Sequence, residues 1–313
     1  MKKNKIKNNK SDTAIKYILG AILLIYALSI VLTLLWGILT SFKSRYEFNN
    51  MRNVLGLPTT KYSLEEIRFG NFKNLIEKLH FQKSTGYYIM GSTSKVTHVT
   101  QNNLGTLVLN TILYAVAGSL LQAIVPCVCA YLCAKFSFKF SKFIYALTLF
   151  VMIIPIVGSY PAEITMLRDF GLYDTFLGYF CQKFNFTGMY FFVYYAFFDG
   201  LSNTYSEAAE IDGASRYRIL ISIILPISIK IISTVWLLQF VTFWNDYQTP
   251  ILYMPTKPTL AYAIYYLCFE TSTLNSTPMQ ISSCMFLAVP LLILFILFKD
   301  KLMGNITMGG IKE

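Results

Sequence analysis

Long stretches of apolar residues separate the charged segments of this chain of 313 residues, and they restrict its fold more than any other feature. A helix needs about 20 apolar residues to cross the hydrocarbon core of a membrane. Runs of about that length predict six transmembrane helices, at residues 17–39, 107–134, 143–162, 175–198, 222–245 and 281–298. The sequence therefore predicts an all-α polytopic membrane protein.

The composition agrees with a membrane protein and argues against most soluble classes. Hydrophobic residues make up 55% of the chain and charged residues only 14%, whereas an ordinary soluble domain is about 25% charged. The net charge of +11 is what cytoplasmic loops rich in Lys and Arg produce. We therefore expect lipid around the chain, no nucleic-acid partner, and buried thiols rather than disulfides at the six cysteines.

The positions of the lysines predict the orientation. Residues 1–16 carry six lysines, and residues 135–142 carry three more. Both segments should be cytoplasmic, because short cytoplasmic loops collect positive charge. Alternation then places the loop 200–221 and the tail 299–313 on the same side, so that both termini are cytoplasmic. The segments 40–106 and 246–280 should then be external.

The external segment 40–106 should hold a small α/β insertion. Residues 63–79 place apolar side chains at helical spacing. Residues 86–100 are rich in β-branched and aromatic residues around a turn candidate at 91–95, which predicts a hairpin.

The residue patterns do not indicate catalysis or a metal site. The chain has no phosphate-binding loop, nucleophile elbow or His-Glu-x-x-His pair. His80 and His98 have no Cys, Asp or Glu at ligand spacing. Lys183 and Lys230 are the only charges inside the predicted spans, and both lie near span ends, where a lysine can extend to the interface. An ion-gradient carrier or channel usually needs more such charges, and it stays as an alternative.

The cytoplasmic segment 200–221 differs from the other loops. Thr204 with Glu207 three residues later has the pattern of a capping box, and Gly213 can end the helix that it opens. A second short helix should begin near Ala214. Small side chains on the first helix would let another protein approach closely, so we interpret the segment as a docking element. The alternative is an amphipathic connector on lipid headgroups.

Seven residues in and after this segment stand at characteristic offsets. They are Glu207, Ala208 and Ala209, then Gly213 after three intervening residues, and Ile223, Leu225 and Pro226 after nine more intervening residues. This spacing resembles the signature loop of the membrane subunits of bacterial binding-protein-dependent ABC importers. The longer run Glu207–Ser215 resembles the carbohydrate-importer branch, the MalG family. Further matches to that branch are Ser41–Lys43, Gly171–Thr175, Trp244–Asp246 and Gly309–Lys312.

The resemblance implies a type I ABC importer permease fold in the bacterial cytoplasmic membrane. It implies that this chain and a second, MalF-like permease subunit face each other across a translocation pore. Two cytoplasmic ATPase subunits would each receive one signature loop, and an extracytoplasmic binding protein would deliver the solute. ATP and magnesium would be bound by the ATPase subunits, so this chain would carry no cofactor and no catalytic activity of its own.

The resemblance also implies roles for particular residues. The helix that couples to the ATPase would comprise Glu207, Ala208, Ala209, Asp212 and Gly213, joined to the fifth span by Ile223, Leu225 and Pro226. Candidates for the pore mouth or the binding-protein contact are Trp244, Asn245 and Asp246. The carbohydrate branch implies a sugar substrate, an oligosaccharide, and an importer of a non-sugar solute is the alternative.

Overall fold

The computed structural model describes residues 10–49, 54–58, 70–88, 95–136, 138–154, 158–270 and 276–306. The chain divides into two compact units. One consists of Met1–Lys78 with Ser272–Ala288, and the other of Leu79–Thr271 with Val289–Glu313. The second unit contains the segment 200–221 and the residues that follow it.

Nearly all of the described elements are helices, in agreement with the predicted fold class. The N-terminal elements are α1 (Lys10–Ser41), α2 (Arg45–Asn49), α3 (Gly70–Lys78), β1 (Phe81–Tyr88) and β2 (Lys95–Asn102). The central helices are α4 (Leu104–Lys135), α5 (Lys139–Ile153), α6 (Tyr160–Asp169), α7 (Phe176–Lys183), α8 (Met189–Asp199) and α9 (Thr204–Ile211). They are followed by α10 (Arg216–Trp244), α11 (Gln248–Tyr253), α12 (Leu260–Tyr265) and α13 (Thr277–Ile306).

Four helices in the described part of the chain are long and apolar enough to cross a membrane. They comprise Ala14–Ser41, Leu104–Lys135, Arg216–Trp244 and Thr277–Phe298. These are the regions in which the sequence places the first, second, fifth and sixth spans.

The third and fourth predicted spans differ from expectation, because each contains two helices. Helix α5 ends at Ile153, and Ile154 is extended (φ −85°, ψ 113°), as a residue before a proline prefers. Helix α6 then starts with Pro161 in its first turn. In the fourth region, α7 and α8 are separated at Gly188, whose φ of +137° is incompatible with a continuous helix.

The segment between the first and second spans contains the expected hairpin, with longer strands. β1 and β2 pair antiparallel from Phe81 opposite Asn102 to Tyr88 opposite Lys95. Most of the predicted turn, and residues 63–69 of the predicted helix, lie outside the described residues. Phe81 anchors the base of the hairpin, since its buried ring packs 5.1 Å from the ring of Tyr262.

The turn after α1 is held by buried polar groups. The Asn71 amide donates to the carbonyls of Ser41 (2.8 Å) and Lys43 (2.9 Å), and the Ser282 hydroxyl donates to the Ser41 carbonyl (2.9 Å). Burial lowers the pKa of the Lys43 ammonium, and the nearby charge of Glu47 opposes that shift. These contacts give Ser41–Lys43 a structural role at the end of the first span.

Helix α4 is central to the second unit. One half of it packs Tyr114 and Ala115 against α7 and the end of α10, and the other half packs Ala123, Cys127 and Ala130 against α8 and the start of α10. The expected burial of the thiols holds for Cys127, Cys133 and Cys268, but the side chains of Cys181 and Cys284 are exposed. The six cysteines are thiols that do not form disulfides.

Replacing Gly118 by valine should destabilise the protein. A Cβ atom at this position in α4 would lie 1.9 Å from the Tyr179 hydroxyl, which donates to the Tyr114 carbonyl. We expect a loss of about 1–3 kcal/mol, the usual cost of overpacking. The measurement is the thermal unfolding midpoint in detergent. Gly105→Val in the same helix is the control, because its nearest neighbour is 3.6 Å away. Equal midpoints for the two variants would show that the close packing at Gly118 has no energetic role.

Candidate functional site

Helix α9 begins differently from the capping box that the sequence predicts. Its N-cap residue is Asn203, whose carbonyl accepts from the Glu207 amide (3.0 Å), so that Thr204 lies inside the helix. The Thr204 hydroxyl instead contacts the Ser202 hydroxyl. The Glu207 side chain is exposed.

Gly213 ends α9 as predicted. Its φ is +77°, and its amide donates to the Glu210 carbonyl (3.0 Å). The next amide, of Ala214, donates to the Ala209 carbonyl (2.9 Å). These two bonds form a Schellman motif, which reverses the chain within two residues and needs a left-handed residue at this position.

The helix after Gly213 begins later and is longer than the short helix that the sequence predicts near Ala214. It starts at Arg216, with the Ser215 hydroxyl accepting from the Arg218 amide (3.3 Å), and it continues to Trp244 without a break. A π-helical segment, Leu220–Ile224, precedes Pro226. A π turn widens the helix, which accommodates a proline that would clash with the carbonyl four residues earlier. The bend at Gly213 is thus joined directly to a helix of membrane-spanning length.

The two alanines of α9 have opposite surroundings. Ala209 is buried (8% exposed) in the apolar cluster formed with α4 and α8, whereas Ala208 is exposed. Three large apolar side chains of this segment are exposed: Tyr205 (51% exposed), Ile211 (86%) and Tyr217 (74%). No sequence motif indicates these side chains, although Tyr205 and Ile211 stand three residues on either side of Ala208, a spacing that puts them on neighbouring parts of one face. We call Tyr205, Ala208 and Ile211 the outer face of α9.

A pocket of about 220 Å³ lies beside the contact between the inner side of α9 and the end of α4. Its lining mixes charged and aromatic side chains, with Tyr131, Lys135 and Phe136 on α4 and its C-cap. Glu207, Glu210 and Arg216 contribute the opposite wall. The predicted site residues Asp212 and Pro226 are exposed, and Ile223 and Leu225 are half-buried against the same apolar cluster as Ala209.

The three candidates for the pore mouth differ in burial, and Asp246 is half-buried. Trp244 is buried (6% exposed) in the apolar cluster around Tyr114. The Asp246 carboxylate accepts from the Tyr114 hydroxyl (2.5 Å) and from the Thr249 amide (3.0 Å). Asn245 is exposed, and its amide donates to the Val241 carbonyl (2.9 Å). Of these three side chains, Asn245 is the most exposed.

Lys183 is engaged with aromatic rings. Its ammonium lies 4.9 Å from the ring centre of Phe243 and 5.5 Å from that of Tyr179. Cation–π contact therefore stabilises this charge. Lys230 is exposed. Among the described residues, no three His, Cys, Asp or Glu side chains are placed to hold a metal ion.

Comparisons with known proteins agree with the resemblance. Residues 124–307 match the family model described as "Binding-protein-dependent transport system inner membrane component". The chain is 24% identical to the diacetylchitobiose uptake system permease protein NgcG of Streptomyces coelicolor, covering 96% of this chain and 90% of that protein. It is 26% identical to the probable starch degradation products transport system permease protein AmyC of Thermoanaerobacterium thermosulfurigenes, covering 91% and 95%.

A third relative is the melibiose/raffinose/stachyose import permease protein MelC of Bacillus subtilis, 25% identical over 67% of this chain and 77% of that protein. The fold matches a chain in the crystal structure of a bacterial ABC transporter involved in the import of the acidic polysaccharide alginate. That match has a TM-score of 0.68 at 21% identity and covers 95% of this chain and 99% of the other.

Proposed function

This chain belongs to the family of binding-protein-dependent transport system inner membrane components, and from that premise we propose that it forms half of the translocation pore of an ATP-driven sugar importer. One observation carries the proposal. The outer face of α9 is exposed and apolar, and a rigid bend joins α9 to a continuous helix of membrane-spanning length. An ATPase subunit docked on α9 could therefore move a pore helix by moving α9.

We propose that the partners are a second permease subunit, two cytoplasmic ATPase subunits and an extracytoplasmic binding protein. The ATPase subunits would bind ATP and magnesium, and this chain would act without a cofactor. The basic N-terminal segment and the loop after α4 favour cytoplasmic termini, because positive charge collects on that side. α9 would then face the cytoplasm, where the ATPase subunits are.

The proposed substrate is an oligosaccharide. It is supported by the similarity to permeases named for diacetylchitobiose, for starch degradation products and for melibiose, raffinose and stachyose. Asn245 is the proposed contact at the pore mouth or with the binding protein, since its side chain is exposed at the end of α10.

The proposed mechanism is a change of population between two packings of the membrane helices. Binding of ATP would bring the ATPase subunits together, and each would displace the α9 docked on it. The helix Arg216–Trp244 would transmit that displacement, because a continuous hydrogen-bonded helix resists bending. The nucleotide acts by having different affinities for the inward-open and outward-open states.

The test is uptake by the whole complex in liposomes. The chain, its neighbouring permease and ATPase subunits and the binding protein are reconstituted, and the uptake of labelled oligosaccharide is measured. We expect uptake to require ATP and the binding protein. Liposomes that contain this chain alone are the control, and solute uptake driven by an ion gradient in those liposomes would contradict the proposal. Binding-protein-dependent uptake of a non-sugar solute instead would contradict only the choice of substrate.

A further inference from the structure

The last turn of α4 is fastened to the beginning of α9. The Lys135 ammonium donates to the Leu201 carbonyl (2.5 Å) and to the side-chain oxygen of Asn203 (2.9 Å). Asn203 is the N-cap residue of α9. Hydrogen bonds from a charged donor are stronger than those between neutral groups. Any movement of the start of α9 must therefore either carry the end of α4 with it or break these two bonds.

Phe136, the C-cap residue of α4, contacts the helix on the other side of the bend. The Arg216 guanidinium lies 5.2 Å from the ring centre of Phe136, and its Nε lies 3.9 Å from a carboxylate oxygen of Glu210. Arg216 is the first residue of α10. Lys135 and Phe136 thus contact the two helices that meet at Gly213.

Tyr131, one turn before Lys135, adds a third contact on the same side of α4. Its ring is buried and lies 5.4 Å from the ring centre of Phe198. It also belongs to the same buried apolar cluster as Ala209 of α9. The buried side of α9 is therefore attached to α4 along more than one turn.

These contacts differ in strength. The Arg216–Glu210 pair is largely exposed, and exposed ion pairs contribute little. Lys135 is half-buried with two acceptors. Lys142, in the first turn of α5, is exposed, and its charge is what the cytoplasmic end of a span is expected to carry. Lys135 is therefore the residue on which the attachment of α4 to α9 most depends.

We propose that Lys135 is a positioning residue, through which a displacement of α9 reaches the second predicted span as well as the fifth. The inference rests on the proposed function, because it requires α9 to be the element that the ATPase moves. Helix α4 packs along α8 and α10. Motion of α9 would then shift these helices together, and α10 would not move alone.

The experiment compares Lys135→Met with Lys142→Met in the complete reconstituted complex. Each variant removes one positive charge, but only the first removes a bond to α9. We expect Lys135→Met to keep assembly and basal ATP hydrolysis and to lower the stimulation of hydrolysis by loaded binding protein about fivefold or more. Lys142→Met should match the wild type, and Lys135→Arg should retain most of the stimulation.

A double variant tests whether Lys135 acts through α9. Asn203→Ala removes one of its acceptors. If Lys135 works by holding Asn203, the Lys135→Met/Asn203→Ala variant should be no more impaired than Lys135→Met alone.

Two results would overturn the inference. One is equal stimulation in Lys135→Met and Lys142→Met, and the other is a Lys135→Met complex whose basal hydrolysis and assembly fall as much as its stimulation. A wild-type complex that shows no ATP-dependent uptake would instead remove the proposed function itself.

Discussion

Replacing Gly213 by proline should abolish the coupling between ATP hydrolysis and transport. Proline holds φ near −65°, whereas Gly213 has a φ of +77°. Proline would also remove the amide that donates to the Glu210 carbonyl. The Schellman motif that sets the angle between α9 and α10 could not form. We expect transport per ATP hydrolysed to fall roughly tenfold or more, measured in liposomes from parallel uptake and hydrolysis assays.

Gly171 provides a matched control for this variant. It has a φ of +66° and donates to the Arg168 carbonyl (3.0 Å), and the following amide donates to the Leu167 carbonyl (2.8 Å). The same motif thus ends α6, in a different part of the chain. Gly171→Pro should lower stability to a similar extent but leave transport per ATP hydrolysed near the wild-type value. If both variants lose coupling equally, the effect is a general loss of structure and the special role of Gly213 is wrong.

Ala208 and Ala209 should respond in opposite ways to the same substitution. Ala208→Trp adds a bulky ring on the outer face of α9, where it would obstruct a docked ATPase while leaving the packing of this chain intact. We expect the amount of ATPase that co-purifies with the tagged chain to fall by about tenfold or more, since interface energies concentrate in a few well-packed positions. The thermal unfolding midpoint of the isolated chain should stay unchanged.

Ala209→Trp should instead destabilise the chain. Its methyl group lies in the apolar cluster between α4, α8 and α10. Overpacking there costs about 1–3 kcal/mol or more, so we expect a lower unfolding midpoint and a lower yield of folded protein. The interpretation of the outer face is contradicted if Ala208→Trp leaves ATPase binding intact, or if it lowers the midpoint as much as Ala209→Trp does.

Local pattern predicts a large part of this molecule. Apolar run length locates the four long helices, because crossing a membrane demands a minimum length of apolar residues. The position of Gly213 predicts the end of α9, since few residues other than glycine adopt a positive φ without strain. The β-branched run predicts the hairpin, and the structure extends both strands by several residues.

Other features depend on choices between competing local patterns. Thr204 and Glu207 fit a capping box, yet Asn203 takes the N-cap position one residue earlier. The residues after Gly213 fit a short separate helix, yet the π-helical segment at Leu220–Ile224 lets the helix run through Pro226. In both cases the local pattern is compatible with more than one helix boundary.

Local sequence patterns do not predict contacts between residues that are far apart in the chain. Lys135 looks like one more cytoplasmic lysine, and its bond to Asn203 joins residues 68 positions apart. Asp246 looks like an exposed acid at the end of a span, and its carboxylate is bonded to Tyr114, 132 positions away. The side chains available for docking, such as Ile211, become apparent only when the buried side of α9 is known.

The most direct test of the account is a photo-crosslink from the outer face of α9. A benzophenone amino acid replaces Ile211, which is 86% exposed, in the complete complex in native membranes, and Leu109 (68% exposed) on α4 carries it in the control. We expect the Ile211 probe to form an adduct with an ATP-binding subunit, and the Leu109 probe to form none with that subunit. Adducts of the Ile211 probe with lipid alone, in membranes where the transporter is active, would contradict the claim that α9 is the docking element.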